Sequence, residues 1–205
     1  MRKLVHAVFI SLDGVVQAPG GPDEDTSSGF VLGGWTVPYD HESDEVMGGA
    51  LANPFELLLG RRTYDIFANY WPHVAADAPH RGIADLLNQA QKHVATHDPA
   101  SLSWQHSRAL GADAGAAVRA LKQADGPDLL VIGSSDLMRQ LLATDLVDEL
   151  RLLVYPVLLG AGKRLYDDAT RPAAFRLAET KTTPTGVLIN RYLREGDVQT
   201  GAFTP

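Results

Sequence analysis

The chain has 205 residues, of which 45% are hydrophobic and 21% are charged, a composition typical of one globular domain and unlike disordered, collagenous or coiled-coil chains. Its formal net charge of −7 opposes a phosphate backbone and argues against nucleic acid as a partner. The absence of cysteine excludes disulfides and thiolate chemistry, and no apolar stretch approaches the roughly 20 residues that span a membrane, so we expect a cytoplasmic protein.

Apolar runs of strand length alternate with segments of helical period, a pattern typical of βαβ units around a mostly parallel sheet. The pattern predicts strands at residues 4–12, 55–59, 92–96, 128–132 and 149–157. It predicts helices at residues 41–51, 63–70, 113–125 and 136–143. A long polar loop covers residues 19–35, and two final strands, residues 175–182 and 186–194, form an antiparallel hairpin. We expect one domain over residues 1–205.

Three strand exits carry residues suited to a phosphate-bearing ligand. In open α/β sheets, ligands bind beyond the carboxyl ends of the strands, where helix N-termini attract phosphates. Residues 60–63 read Gly-Arg-Arg-Thr, residues 96–98 read Thr-His-Asp, and residues 133–135 read Gly-Ser-Ser. Each exit alone is equally well explained by turn and cap chemistry. Their joint occurrence in this order favours a functional site.

The same exits carry a resemblance to a known family. Together with Ser-Leu-Asp-Gly at residues 11–14 and Pro-Val-Leu-Leu-Gly-Ala-Gly-Lys-Arg-Leu at residues 156–165, they resemble the dihydrofolate reductase superfamily, in the branch that contains the reductase domain of riboflavin biosynthesis (RibD C-terminal-like). The resemblance extends from residue 4 to about residue 193. It implies a dihydrofolate-reductase-like three-layer α/β fold, with a mostly parallel central sheet and an antiparallel C-terminal hairpin, and it implies NADPH as the cofactor.

The resemblance also implies a set of residues that contact the cofactor. They are Phe9, Val16, Gly60, Arg61, Arg62, Thr63, Ala95, Thr96, His97, Gly133, Ser134, Ser135, Leu137 and Met138. Arg61 or Arg62 would supply the charge that binds the 2'-phosphate, since a guanidinium suits that dianion. The chain departs from the family pattern at Ser134 and Ser135, where paired glycines are usual.

The sequence offers fewer candidates for residues that contact the substrate or take part in catalysis. Asp13 closes the first strand beside the expected nicotinamide position, where it could act as the catalytic acid or form an Asx turn with Gly14. Trp35 lies in the long loop and is expected to contact substrate, as is Asp40, which lies near the region where folate reductases carry a carboxylate. The remaining aromatic residues in helical segments are either pocket walls or core: Tyr64, Phe67, Tyr70 and Trp71. The histidines have no ligand spacing, so we expect no metal site.

We therefore expect an NADPH-dependent reductase of a small heterocyclic or carbonyl substrate. Two alternatives stay open. One is an authentic riboflavin-biosynthesis reductase, although Ile132 stands where those enzymes typically carry a carboxylate. The other is a non-catalytic protein of the same fold that binds NADPH or another ligand. The resemblance also implies a homodimer formed through sheet edges, while the apolar run at residues 152–159 is explained equally well as a buried strand.

Overall fold

One mixed sheet of eight strands organises the chain. The computed structural model describes residues 1–42 and 49–203, with residues 40–42 described by their backbone only. The strands are β1 (Leu4–Ser11), β2 (Phe55–Gly60), β3 (Lys92–Ala95), β4 (Ser107–Ala109), β5 (Asp128–Ile132), β6 (Glu149–Tyr155), β7 (Ala174–Thr182) and β8 (Leu188–Gly196). Their order across the sheet is β4-β3-β2-β5-β1-β6-β8-β7.

In the described part of the chain, four helices of nine or ten residues join these strands. They are α1 (Arg61–Tyr70), α2 (Arg81–Gln89), α3 (Ala114–Gln123) and α4 (Ser135–Ala143). Short 3-10 turns lie at Ser27–Gly29, Val37–Glu42, Trp71–His73 and Pro99–Ser101. The Asp113 side chain accepts a hydrogen bond from the Ala116 amide at the start of α3, as its position in the sequence predicts. Within the described residues, no helix is long and apolar enough to cross a bilayer.

The strand directions confirm the expected architecture. From β4 to β6 every neighbouring pair is parallel, whereas β8 runs antiparallel to both β6 and β7. Ala7 of β1 is opposite Ile132 of β5, and Gly60 of β2 is opposite Ala95 of β3. The carboxyl ends of the central strands therefore reach the same edge of the sheet.

The alternation of side chains along β5 shows how the core divides into two faces. Leu129 and Val131 pack in a cluster with Met138 of α4. Leu130 and Ile132 point the other way and pack in a second cluster with α1 and α2. Because both faces of the strand are covered, its sequence is continuously apolar, which is typical of a central parallel strand.

Two elements were not predicted from the sequence. Helix α2 occupies a segment that reads as polar, and its two buried side chains, Ala84 and Leu87, lie on one face that packs on the second cluster. Gly82 in its first turn lowers intrinsic helix propensity, so tertiary packing decides its conformation. Strand β4 has three residues and pairs with β3 at the sheet edge. Most of the helix expected at residues 41–51 lies outside the described residues.

Candidate functional site

A cavity of about 880 Å³ opens at the carboxyl ends of β1, β2 and β5. Its walls are the first turns of α1 and α4 and the loop after β1. Ten of the residues expected to contact a cofactor line it together: Phe9, Val16, Gly60, Arg61, Arg62, Thr63, Gly133, Ser134, Ser135 and Leu137. Two of the three strand exits therefore form one surface, as parallel strand ends at one edge predict.

The third exit lies outside the cavity lining and is joined to it by Arg61. The Arg61 guanidinium donates to both oxygens of Asp65 at 2.9 Å, to Thr96 Oγ1 at 3.4 Å and to the hydroxyl of Ser101. Its side chain is 37% exposed. Arg61 therefore presents a partly exposed cation between the end of β2 and the end of β3.

Arg62 points into a second charged cluster. Its Nη1 donates to the two oxygens of Asp25 at 2.8 and 2.9 Å, and Lys163 Nζ donates to the same carboxylate at 2.6 Å. Burial raises the pKa of Asp25, but hydrogen bonds from Lys163, Ser27 and Arg62 outweigh this and hold the pKa well below its usual range. Asp25 is therefore ionised at neutral pH and keeps two cations at the cavity wall.

Hydrogen bonds of Ser134 join the end of β5 to the end of β2. Gly133 and Ser134 both adopt left-handed backbone conformations, with φ of 62° and 58°. Ser134 Oγ accepts a hydrogen bond from the Gly60 amide at 2.9 Å, and the Ser134 amide donates to Thr63 Oγ1 at 3.1 Å. At Ser134, one of the two positions where the family pattern has glycine, this chain therefore has a side chain that links two strand exits.

A buried histidine of β1 contacts the backbone at the end of β5. His6 of β1 has no solvent exposure, and its Nε2 lies 3.1 Å from the Gly133 carbonyl oxygen. Burial lowers the pKa of His6 to about 4, against the raising effect of its bond to Gly133. The ring is therefore neutral at physiological pH and donates to the carbonyl through Nε2, which orients the Gly133 peptide.

Four of the residues expected to contact the cofactor do not line the cavity. Ala95 ends β3, and Thr96 and His97 follow it, where Arg61 reaches Thr96. Met138 is fully buried in the core cluster that packs on β5. It follows the cavity residue Leu137 on α4, and the helical period turns its side chain towards the sheet.

Asp13 lies outside the cavity lining. Its carboxylate accepts hydrogen bonds from Ser11 Oγ at 2.6 Å, the Leu159 amide at 3.1 Å and the Gly160 amide at 2.8 Å. These bonds, that from Ser11 most of all and against the raising effect of burial, lower the pKa of Asp13 to about 2. The carboxyl is ionised at neutral pH and joins the loop after β1 to the loop after β6. This is a structural arrangement, although it is not the Asx turn with Gly14 that the sequence suggested, since the Gly14 amide donates to the Ser11 carbonyl.

Of the two residues expected to contact substrate, Trp35 does not line the cavity. Trp35 is buried, its Nε1 donates to the Gln17 carbonyl at 2.8 Å, and its ring packs perpendicular to that of Tyr155 at 5.3 Å. Its position in a long loop suggested an exposed pocket residue, but the loop folds over its own small core. The side chain of Asp40 lies outside the described residues.

The aromatic residues of the first helical segment divide between core and cavity. Phe67, Tyr70 and Trp71 line the cavity, with the rings of Phe67 and Tyr70 centred 6.0 and 5.0 Å from that of Trp71. Tyr64 is buried instead, and its hydroxyl accepts a hydrogen bond from the Trp104 amide at 2.8 Å. The cavity therefore has an aromatic end beside the last turn of α1 and a charged end beside Arg62 in the first turn of α1.

Sequence reasoning missed several polar residues that line this cavity, among them Gln17, Glu24 and Asp25. Gln17 is buried, donates to the carbonyls of Asp25 and Ser27 at 2.9 and 3.0 Å, and accepts from the Lys163 amide at 2.9 Å. Lys163, which also lines the cavity, lies in the glycine-containing run that carried part of the resemblance. The length of the loop after β1 was the available signal, since long loops in compact domains are often functional.

Fold and site together define an α/β protein whose ligand cavity opens at the carboxyl ends of a parallel sheet. Residues 2–189 match the family model of the RibD C-terminal domain. The chain belongs to the RibD C-terminal domain family. It is 27% identical over 180 residues to the uncharacterized protein YwjB of Bacillus subtilis, covering 88% of this chain and 91% of that protein.

Solved structures share the fold at low sequence identity. A putative riboflavin biosynthesis protein from Shewanella sp. PV-4 superposes with a TM-score of 0.62 at 18% identity, covering 94% of this chain and 99% of the other. A diaminohydroxyphosphoribosylaminopyrimidine deaminase/5-amino-6-(5-phosphoribosylamino)uracil reductase from Thermotoga maritima superposes with a TM-score of 0.58 at 15% identity, covering 94% of this chain and 57% of the other. The fold is the dihydrofolate-reductase-like fold that the sequence resemblance implies.

Proposed function

We propose that the chain is an NADPH-dependent reductase of a small heterocyclic or carbonyl substrate. The observation that carries this proposal is the convergence of Arg61, Arg62, Lys163 and the N-terminus of α4 on one cavity at the strand ends. Cations and free helix amides are the groups that bind phosphates. Family membership, and the reductase named in the description of the Thermotoga maritima structure, support the same reaction class.

The residues present fit an extended dinucleotide. Gly133 has a φ of 62°, a left-handed conformation that favours glycine, and Gly60 and Gly133 line the cavity beside Thr63 and Ser134. Arg61, between β2 and β3, suits the 2'-phosphate, and the first amides of α4 suit the pyrophosphate. When bound, NADPH supplies hydride, and the chain's own residues bind it, orient the two rings and exclude water.

The aromatic end of the cavity supports a flat substrate. Phe67, Tyr70 and Trp71 offer ring surfaces for stacking, and Ile83 of α2 extends the apolar wall. Aromatic and aliphatic walls with few polar groups are typical of sites for small organic ligands. The substrate end therefore lies beside the last turn of α1, and the phosphate end lies beside the first turns of α1 and α4.

The function is tested by turnover. Purified protein with NADPH is offered a panel of dihydropterins, ribosylaminopyrimidines and quinones, and oxidation is followed by the loss of nicotinamide absorbance. We expect at least one compound to be reduced at a rate far above the blank. Reduction of the ribosylaminopyrimidine alone would identify a riboflavin-biosynthesis reductase, whereas tight NADPH binding with no oxidation of any compound would contradict catalysis and favour a ligand-binding protein.

A further inference from the structure

Two neighbouring carboxyl groups line the same wall of the cavity in opposite electrostatic surroundings. Asp25 is held by Arg62 and Lys163. Glu24 has no such partner, since no arginine or lysine of the described residues lies within salt-bridge distance of it. Its Oε2 accepts a hydrogen bond from the Gly20 amide at 2.6 Å. Paired carboxyl groups in divergent environments are the usual arrangement in which one stays ionised and the other carries a proton.

The surroundings of Glu24 favour its protonated form. Burial raises its pKa, the amides of Gly20 and Gly21 lower it, and the negative charge of Asp25 raises it again, with a net shift upward. Asp25 is shifted the other way. A carboxyl group with a raised pKa keeps its proton closer to neutral pH, which a general acid requires.

The loop that carries Glu24 is built to hold its shape. A Cβ at Gly33 would lie 2.5 Å from the Gly21 carbonyl oxygen, so the two segments pack backbone against backbone. The Gly34 amide donates to the Ala18 carbonyl at 2.8 Å, and Thr36 Oγ1 donates to the Pro19 carbonyl at 2.7 Å. Glu24 is therefore positioned by a fixed loop, as a group that transfers a proton must be.

The other carboxyl groups that line the cavity in the described part of the chain are each paired with a cation. Asp65 is bound to Arg61, and Asp136 is bound to Arg139. The other titratable and charged residues of the described chain that line the cavity are Asp25 and Lys163 on loops, Arg61, Arg62, Asp65 and Tyr70 on α1, Asp136 on α4, and His80. Glu24 is the carboxyl in this set without a counter-cation.

We propose that Glu24 is the proton donor of the reduction, acting on a substrate with a C=N or C=O bond whose heteroatom lies against the Gly20-Gly21 turn. This inference rests on the reductase function proposed above. The substrate carbon receives hydride from NADPH, which is oxidised to NADP⁺, while the nitrogen or oxygen receives the Glu24 proton. The substrate gains two electrons and two hydrogens, and water reprotonates the Glu24 carboxylate.

The first test needs no turnover. Protein labelled with ¹³C at glutamate carboxyl carbons is titrated by NMR with and without NADPH, and E24Q identifies the Glu24 signal by its loss. We expect Glu24 to titrate above the ordinary range of glutamate, near 4.3 in model peptides. Titration at or below that value in both states would overturn the inference, whatever the outcome of the activity panel.

The second test uses single turnovers with a panel compound that wild-type protein reduces. We expect E24Q to slow reduction about 100-fold or more, to remove the fall in wild-type rate with rising pH, and to leave NADPH affinity unchanged. D23N, which alters an exposed neighbour in the same loop, should behave as wild type. If E24Q reduces the compound at the wild-type rate with the wild-type pH profile, the inference fails while the reductase function stands; if wild-type protein binds no NADPH, the function itself fails.

Discussion

The Asp25 carboxylate forms ion pairs with two of the cations that line the cavity. Its side chain is 11% exposed and pairs with Lys163 and the more exposed Arg62. We expect D25N to destabilise the protein by about 1–2 kcal/mol at neutral pH, because charge-assisted hydrogen bonds from two cations are lost and part of their strength is already screened by solvent. Urea unfolding of wild-type and variant protein measures the difference.

The pH dependence of that difference follows from the lowered pKa of Asp25. A carboxyl whose pKa is depressed in the folded state adds stability that is present above its unfolded pKa and is lost as pH falls through the folded value. The stability gap between wild type and D25N should therefore be constant near neutrality and shrink below about pH 4. A gap that is unchanged in acid, or that is matched by D23N, would contradict the assignment.

At the scale of elements, one side chain joins the ends of β2 and β5. Ser134 has a left-handed backbone and accepts from the Gly60 amide. S134A should lose about 1–2 kcal/mol of stability, because a half-buried amide loses its partner. S134G loses the same bond but removes the left-handed penalty of about 1 kcal/mol, so it should be the milder change in urea unfolding. Equal or greater destabilisation by S134G would contradict this account of the corner.

Local sequence patterns predict individual elements such as β5, but they do not predict contacts between distant residues. Strand β5 is predicted with its observed bounds because Asp128 and four apolar residues between a proline turn and a glycine leave little choice. The contact of Asp25 with Lys163 joins residues 138 positions apart, and no local pattern encodes it. Trp35 shows the same limit, since loop sequence does not reveal that Gln17 and Tyr155 enclose it.

At the scale of the whole molecule, stability in acid depends on His6, a buried residue that contacts Gly133 at the edge of the site. His6 is buried with a pKa of about 4, so the folded state resists a proton that the unfolded state, with a pKa near 6.5, accepts. Stability should fall on the order of 3 kcal/mol as pH drops from about 6.5 to about 4 through this residue alone. Urea unfolding across this range should show the loss in wild-type protein and a smaller loss in H6Q.

A surface histidine provides the control for that prediction. His73 is exposed, so H73Q should keep the full acid sensitivity of the wild-type protein. The comparison separates burial from the mere presence of a histidine. If H6Q and H73Q lost stability equally between pH 6.5 and 4, burial of His6 would not be the cause.

The whole sheet brings three strand exits to one edge, and Arg61 stands between two of them with its guanidinium against Thr96 and Ser101. The measurement that tests this account most directly is a titration of wild-type, R61A and R119A protein with NADPH and NADH, followed by nicotinamide fluorescence. We predict that wild-type protein and R119A, altered at an exposed arginine of α3, prefer NADPH. R61A should weaken NADPH binding by roughly 10- to 100-fold and NADH binding little, as loss of charged hydrogen bonds to the 2'-phosphate requires. Equal affinity of the wild-type protein for both cofactors, or binding of neither, would contradict the account.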